Sequence, residues 1–299
     1  MRQNLIDLIR DTIIFQYDLP NDSVGILKSI FSTHNDKCYK ATAHDKVSEI
    51  IYNSIVDYSI NEFEMSGKDL DNLHAIALKN KLKYNLLADE DTKLKYGFYG
   101  EVLLYSILLV FFGAKPLIAR GYFYNPLENA ETKGYDSYQL VEYEGSLELW
   151  FGEVKFHISH SSGIKSVLQN IERALSDIYL ETNVFAIQNH RNNFNVKGSL
   201  VDKVLDSWES NPNIQLSEEI KKHGMTLVYP ILILYEQDNS DFDTNIRKIP
   251  DYILKNHPLK KFNLSIPYKV FFILLPLEKV KQIKENVIQW IESKRPLIS

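Results

Sequence analysis

Three acids and one lysine in the middle of the 299-residue chain stand where charge is costly. Glu153 and Lys155 lie two apart in LELWFGEVKF (147–156), a segment that reads as a strand. Its apolar residues fall on both faces, with Leu147, Leu149 and Phe151 on one and Trp150, Val154 and Phe156 on the other. Strands covered on both sides are central strands, yet Glu153 and Lys155 continue the Leu147–Phe151 face. Glu101 is the only charged residue between Lys95 and Lys115, in a stretch otherwise apolar or aromatic. Asp136 follows Gly134–Tyr135 at the start of the preceding strand. A lone buried carboxylate is expensive unless it is paired or bound to metal. Carboxylates converging with one lysine can satisfy one another around a divalent cation, and hard oxygen ligands suit Mg²⁺ or Mn²⁺. Such a cation acidifies a bound water and neutralises charge on a phosphate oxygen. Residues i and i+2 of a strand share a face about 6.6 Å apart. Glu153 can therefore hold metal while Lys155 orients the attacking water and stabilises developing negative charge.

The elements that must position these residues follow from periodicity. Residues 94–112 are apolar all round and predict a helix buried on most sides, ended by Gly113 with Pro116 just beyond. A short strand is expected over 116–123. The segments 134–145 and 147–156 predict an antiparallel pair turning near Gly145–Ser146. Ser161 or Ser162 can cap a helix whose stripe is Ile164, Val167, Leu168, Ile171, Leu175 and Ile178. Residues 183–225 are polar and irregular, with one short helix expected at 199–209. Strands are expected at 226–236 and 268–276, with Pro230 pushing the first toward a strand start, an edge or a bulge. A last amphipathic helix carries Val280, Ile283, Val287 and Trp290. Residues 1–90 read mostly as helices and loops, clearest over 44–60, and form an N-terminal accessory, partner-binding region beside a domain at 91–299. The order helix, three strands, helix, further strands is that of an α/β sandwich around a mixed sheet.

This arrangement resembles the PD-(D/E)XK nuclease superfamily, whose motif stands here as Asp136 and Glu153–Val154–Lys155, with Glu101 at the place of the family's first-helix glutamate. Tyr135 replaces the proline before the aspartate. The resemblance covers roughly residues 94–182 and implies a restriction-endonuclease-like core. It also implies metal ligation by Asp136, Glu153 and Glu101, with Lys155 as the fourth catalytic residue. KLKYGFYGEVLLYSILL, KGYDSYQLVEYE and LWFGEVKFH are further similar to the HamA nuclease subunits of Hachiman antiphage systems. That likeness implies a DNA-degrading effector restrained by a partner helicase (HamB-like). The reading is a Mg²⁺-dependent (or Mn²⁺-dependent) deoxyribonuclease with little sequence preference. Its rival is a catalytically silent, nuclease-like module bridging a helicase and DNA.

Plainer readings stand beside each residue. Glu153–Lys155 as a surface ion pair is opposed by the apolar residues on both faces of the strand. Asp136 alone would be a turn aspartate. Glu101 is either a metal ligand or a buried carboxylate bonded to Tyr96, Tyr99 or Tyr105. Gln169 resembles the helix glutamine of some repair-type members of the superfamily or lies on a solvated face, and His157 and His160 touch a phosphate or are loop histidines. His34, Cys38 and His44 offer three zinc ligands with no fourth. Lys165, Arg173, Arg191, Lys197 and Lys203 form either a phosphate-contacting rim or scattered surface cations.

Composition narrows the classes. A net charge of −5 gives no general attraction to nucleic acid, so DNA must meet a local patch or a metal ion. One cysteine excludes an internal disulfide and fits a reducing cytoplasm, the expected location. The first apolar stretch is broken by Asp7, Arg10 and Asp11, and no secretory signal is read there. The longest uncharged apolar run, 102–114, is short of the roughly 20 residues a bilayer needs, so no membrane partner is expected. No phosphate-binding GxxxxGK[ST] loop occurs, which assigns any ATP-driven step to another chain.

Overall fold

The computed structural model describes residues 1–117, 124–125, 130–131, 134–143, 146–188, 202–203, 206, 216–257 and 262–298. Helix α1 (Gln3–Thr12) leads into strands β1 (Ile13–Leu19) and β2 (Asp36–Ala41), then α2 (His44–Ser59). Short helices α3 (Glu62–Met65) and α4 (Leu70–Ile76), the latter continued by a π-helical turn, precede α5 (Glu90–Leu94) and α6 (Phe98–Phe112). Next come β3 (Lys115–Pro116), β4 (Tyr124–Asn125), β5 (Ala130–Glu131), β6 (Ser137–Tyr143) and β7 (Ser146–His157). They are followed by α7 (His160–Ala174), α8 (Asp177–Gln188) and α9 (Leu216–Lys222). The order closes with β8 (Thr226–Glu236), α10 (Phe242–Asn256), β9 (Tyr268–Leu277) and α11 (Val280–Ser293).

Seven strands form one mixed sheet in the order β1-β2-β9-β8-β7-β6-β3. The four inner strands β2, β9, β8 and β7 are parallel, and antiparallel pairs flank them. Alternation along the inner strands divides the core in two. Ile231, Ile233, Phe272 and Leu274 face α7 and α10, while Leu232, Leu234, Ile273 and Leu275 face α1, α2, α6 and α11. Helices thus cover both faces, as parallel strands require. The chain is an α/β protein with a mixed sheet flanked by helices.

Residues 1–90 supply β1, β2 and α2 to this same sheet and core. The expectation of mostly helices and loops there missed β1 and β2. Pairing β2 against β9 is a contact that no local pattern announces.

The buried helix expected over 94–112 is split. Lys95–Gly97 separates α5 from α6, and Gly113, at φ 63°, ends α6 in the left-handed conformation that glycine tolerates best. The stretch Glu90–Phe112 is long and apolar enough to cross a membrane by length and composition. Here the Tyr99, Val102, Leu103 and Ile107 side chains of α6 are fully buried among α2 and the sheet.

Pro230 lies inside a central strand, contrary to the expected start, edge or bulge. It sits opposite Gly152, where the β7–β8 pairing lapses between Trp150–Val228 and Glu153–Ile231. A Cβ on Gly152 would lie 2.7 Å from Ser137 Oγ, 3.1 Å from Leu104 Cδ2 and 3.3 Å from Pro230 Cγ. Glycine there lets a proline without an N–H be tolerated in mid-sheet.

Helix α7 begins at His160 after Ser159, ahead of the serines expected to cap it. Its stripe is buried through Leu175, but the helix breaks there and Ile178 is 80% exposed on α8. The expected strand over 116–123 is described only at Lys115–Pro116. Residues 118–123, the turn at Gly145, most of 199–209, Arg191 and Lys197 lie outside the described residues.

Candidate active site

The β6–β7 register builds the site. Ser137 pairs with Gly152, so Asp136, one residue before β6, stands across from Glu153. Two hydrogen bonds fix it there: Asp136 N–H donates to Gly152 O at 2.9 Å, and Val154 N–H donates to Asp136 Oδ2 at 2.8 Å. Tyr135 anchors this entry to the strand. Its ring is fully buried against Tyr138, Phe151, Tyr179 and Tyr229, and its hydroxyl donates to Ala174 O at 2.7 Å. The aromatic residue therefore holds by packing what a proline would hold by ring constraint.

Lys155 Nζ lies 2.5 Å from Glu153 Oε1, with both side chains largely covered. Helix α7 passes over them, since a Cβ at Gly163 would lie 3.6 Å from Lys155 Cβ and 3.7 Å from His157 Cδ2. Burial and the facing Asp136 charge push the Glu153 carboxyl up to about 7, against the attraction of Lys155 and Arg173. Burial would lower Lys155, but Glu153, Asp136 and Glu101 together raise it. One cation thus faces three acids, from α6, from the entry to β6 and from β7 itself. His157, by contrast, is lowered by burial and by Lys284 and Lys155, which favours its neutral form.

Glu101 approaches from α6. Helix and strand meet closely, as a Cβ at Gly100 would lie 3.0 Å from Val154 Cγ2. Tyr58, at the end of α2, donates its hydroxyl to Glu101 Oε2. The phenol comes from the N-terminal region and is none of the three tyrosines near in sequence. Tyr58 was legible only as one more residue of the α2 stripe, because nothing local announces a contact with residue 101.

Among the described residues no group of three His, Cys, Asp or Glu side chains is gathered so as to hold a metal ion. That disposes of a zinc site from His34, Cys38 and His44, since Cys38 is fully buried in the core under α7 and α10. Asp136 and Glu153 still fit a cation of the Mg²⁺ type, which commonly takes one or two carboxylates and fills its other positions with water and phosphate oxygens. Two facing carboxylates, one of them kept hard to ionise by burial and by the other, are what such a cation relieves.

A family model, HamA, matches residues 7–291. The chain belongs to the HamA family, the Hachiman defence protein A. HamA membership makes it a component of a Hachiman antiphage system, and implies a HamB partner by inference from the family alone. The match spans both the N-terminal region and the β6–β7 site, in keeping with their shared sheet. The comparison with curated proteins returned no match.

Of the expected rim residues, Arg173 acts on the site by favouring ionised Glu153, and its guanidinium lies over the Tyr179 ring, 5.2 Å from the centroid. Gln169 is exposed on α7. His160 packs edge-on against Tyr235 and Tyr252.

Proposed function

We propose that this HamA-family chain is a metal-dependent deoxyribonuclease on a PD-(D/E)XK core, acting in the cytoplasm with little sequence preference. The observation that supports the reading is Asp136 facing Glu153 across the β6–β7 pair, with Lys155 one strand step beyond. Asp136 and Glu153 would hold Mg²⁺ or Mn²⁺, which supplies a more acidic bound water and charge neutralisation at a phosphate oxygen. Lys155, kept protonated by three surrounding acids, orients the attacking water and stabilises negative charge growing on the phosphoryl oxygens. Glu101, held by Tyr58, either joins the metal ligands or keeps Lys155 charged from the α6 side. Arg173 lends a second positive charge at the rim.

An unspecific nuclease must be restrained in its own cell, and the HamB partner expected of a Hachiman system is the natural restraint. We read HamB as a helicase whose engagement with DNA and ATP releases cleavage. The lack of a three-residue ligand group among the described residues favours the second reading, a silent nuclease-like module that bridges HamB and DNA.

One experiment separates the two. Plasmid DNA is incubated with the purified chain, alone and with HamB, in Mg²⁺, Mn²⁺ or chelator. Metal-dependent loss of plasmid that disappears in Glu153→Gln supports the nuclease. DNA retained intact under all conditions, with HamB and DNA both bound, supports the module.

A further inference from the structure

Beside Asp136 lies a cavity of about 10 Å³, bounded by Tyr58, Tyr105, Pro116, Asp136, Ser137 and Gln139. Room of this size admits a single water, provided two to four polar groups receive it. Gln139 supplies the decisive one. Its side chain is 1% exposed, and its Nε2 donates to Ala114 O at 2.9 Å and to Tyr105 O at 3.4 Å. Those two carbonyls fix the amide orientation, because a flipped amide would set oxygen against oxygen. Gln139 Oε1 is then buried with no hydrogen-bond partner among the described residues. An orphaned buried acceptor costs on the order of 1–3 kcal/mol, so a donor is called for in the cavity that Gln139 lines.

The other polar walls match a water. Ser137 Oγ accepts from Gly152 N–H at 3.1 Å, which leaves its own hydrogen to give. Tyr58 spends its hydroxyl proton on Glu101, so toward the cavity it offers an oxygen. Asp136 offers a carboxylate. A water can donate to Gln139 Oε1 and to one of the other acceptors while receiving from Ser137.

We propose that Gln139 and Tyr58 are positioning residues that act through one buried water, which ties strand β6 beside Asp136 to the Glu101 carboxylate across the β6–α6 boundary. The path is short: Ser137 gives its hydrogen to the water, the water gives one hydrogen to Gln139 Oε1 and the other to the Tyr58 oxygen, and Tyr58 holds Glu101. This deepens the nuclease reading and rests on it for its functional meaning. Groups one shell out from a metal orient its ligands, and losing them commonly weakens metal binding roughly ten- to a hundredfold.

The test uses the full chain without DNA. A crystal structure that resolves ordered water should show one within hydrogen-bonding distance of Gln139 Oε1. In Tyr58→Phe the water or the Glu101 rotamer should change. Calorimetric Mg²⁺ titration should weaken roughly ten- to a hundredfold in both Tyr58→Phe and Gln139→Met. Tyr58→Phe leaves the Gln139 hydrogen bonds intact, so it decides the matter if Gln139→Met does not fold. A dry cavity, or Tyr58→Phe with unmoved carboxylates and unchanged Mg²⁺ affinity, overturns the proposal. A wild-type chain that binds no Mg²⁺ overturns the nuclease reading instead, while the water and the carboxylate positions still decide the coupling.

Discussion

Glu153→Gln should make the protein more stable at pH 8, in spite of breaking its contact with Lys155. The folded carboxyl titrates near 7 against an ordinary 4.5, because burial and Asp136 outweigh the attraction of Lys155 and Arg173. At about 1.4 kcal/mol per pH unit, that difference amounts to roughly 3 kcal/mol. A folded pKa raised above the unfolded one means the folded state binds the proton more tightly. The stabilising contribution is therefore complete below 4.5, falls as pH rises, and is gone above about 7. Glutamine mimics the protonated acid at every pH. Urea unfolding from pH 4.5 to 8.5 in chelator should show wild type losing up to about 3 kcal/mol that Glu153→Gln keeps, with the two curves meeting at low pH. Mg²⁺ should narrow the gap at pH 8 by binding the wild-type site more tightly. If Glu153→Gln is instead the less stable protein at pH 8, the ion pair outweighs the repulsion and the facing acids are not poised for a cation.

Lys155→Met should abolish plasmid cleavage while largely sparing Mg²⁺ affinity, since an ammonium is not a ligand; calorimetry beside a gel assay reads both. Gly152→Ala should destabilise the fold by about 1–3 kcal/mol, because the new methyl meets Ser137, Leu104 and Pro230 inside ordinary contact, and chemical denaturation measures it. Removing residues 1–90 takes β2 from β9 and α2 from α6, so the remaining chain should be insoluble or lack cooperative unfolding. A soluble fragment that melts sharply would contradict the shared core.

The layers on either side of β7 were legible because each residue there reports locally. Alternation along 147–156, the apolar run ending at Gly113 and the stripe of α7 are all short-range patterns. The antiparallel pair that carries Asp136 and Glu153 was legible too, though not the register that sets the two face to face. What escaped depends on distant partners. Strand β1 carries Phe15, Gln16 and Asp18, and β2 runs only from Asp36 to Ala41, so neither shows a clear period before β9 is set beside them. Helix α10 was not read either, as Pro250 in its interior reads as a break. Pro230 misled for the same reason, since the residue that accommodates it, Gly152, belongs to another strand. Tyr58 and Gln139 carry no chemical signature of their own and gain a role only from the residues brought to them.

The strand order also bears on when the candidate site can be completed as the chain is made. Strand β2 emerges early in synthesis, yet its parallel neighbour is β9, so Lys37 and Cys38 wait for Ile273 and Leu274. Pairings of such sequence separation form slowly, after a large loss of chain freedom. The β6–β7 hairpin can form alone and takes β8 directly at its side, but β1 and β2 join that sheet only through β9. A nascent chain halted before β9 therefore leaves β8 with an open edge and β2 without its parallel neighbour. The two halves of the sheet that brace the acids and the lysine thus become one body only when β9 is inserted between β8 and β2.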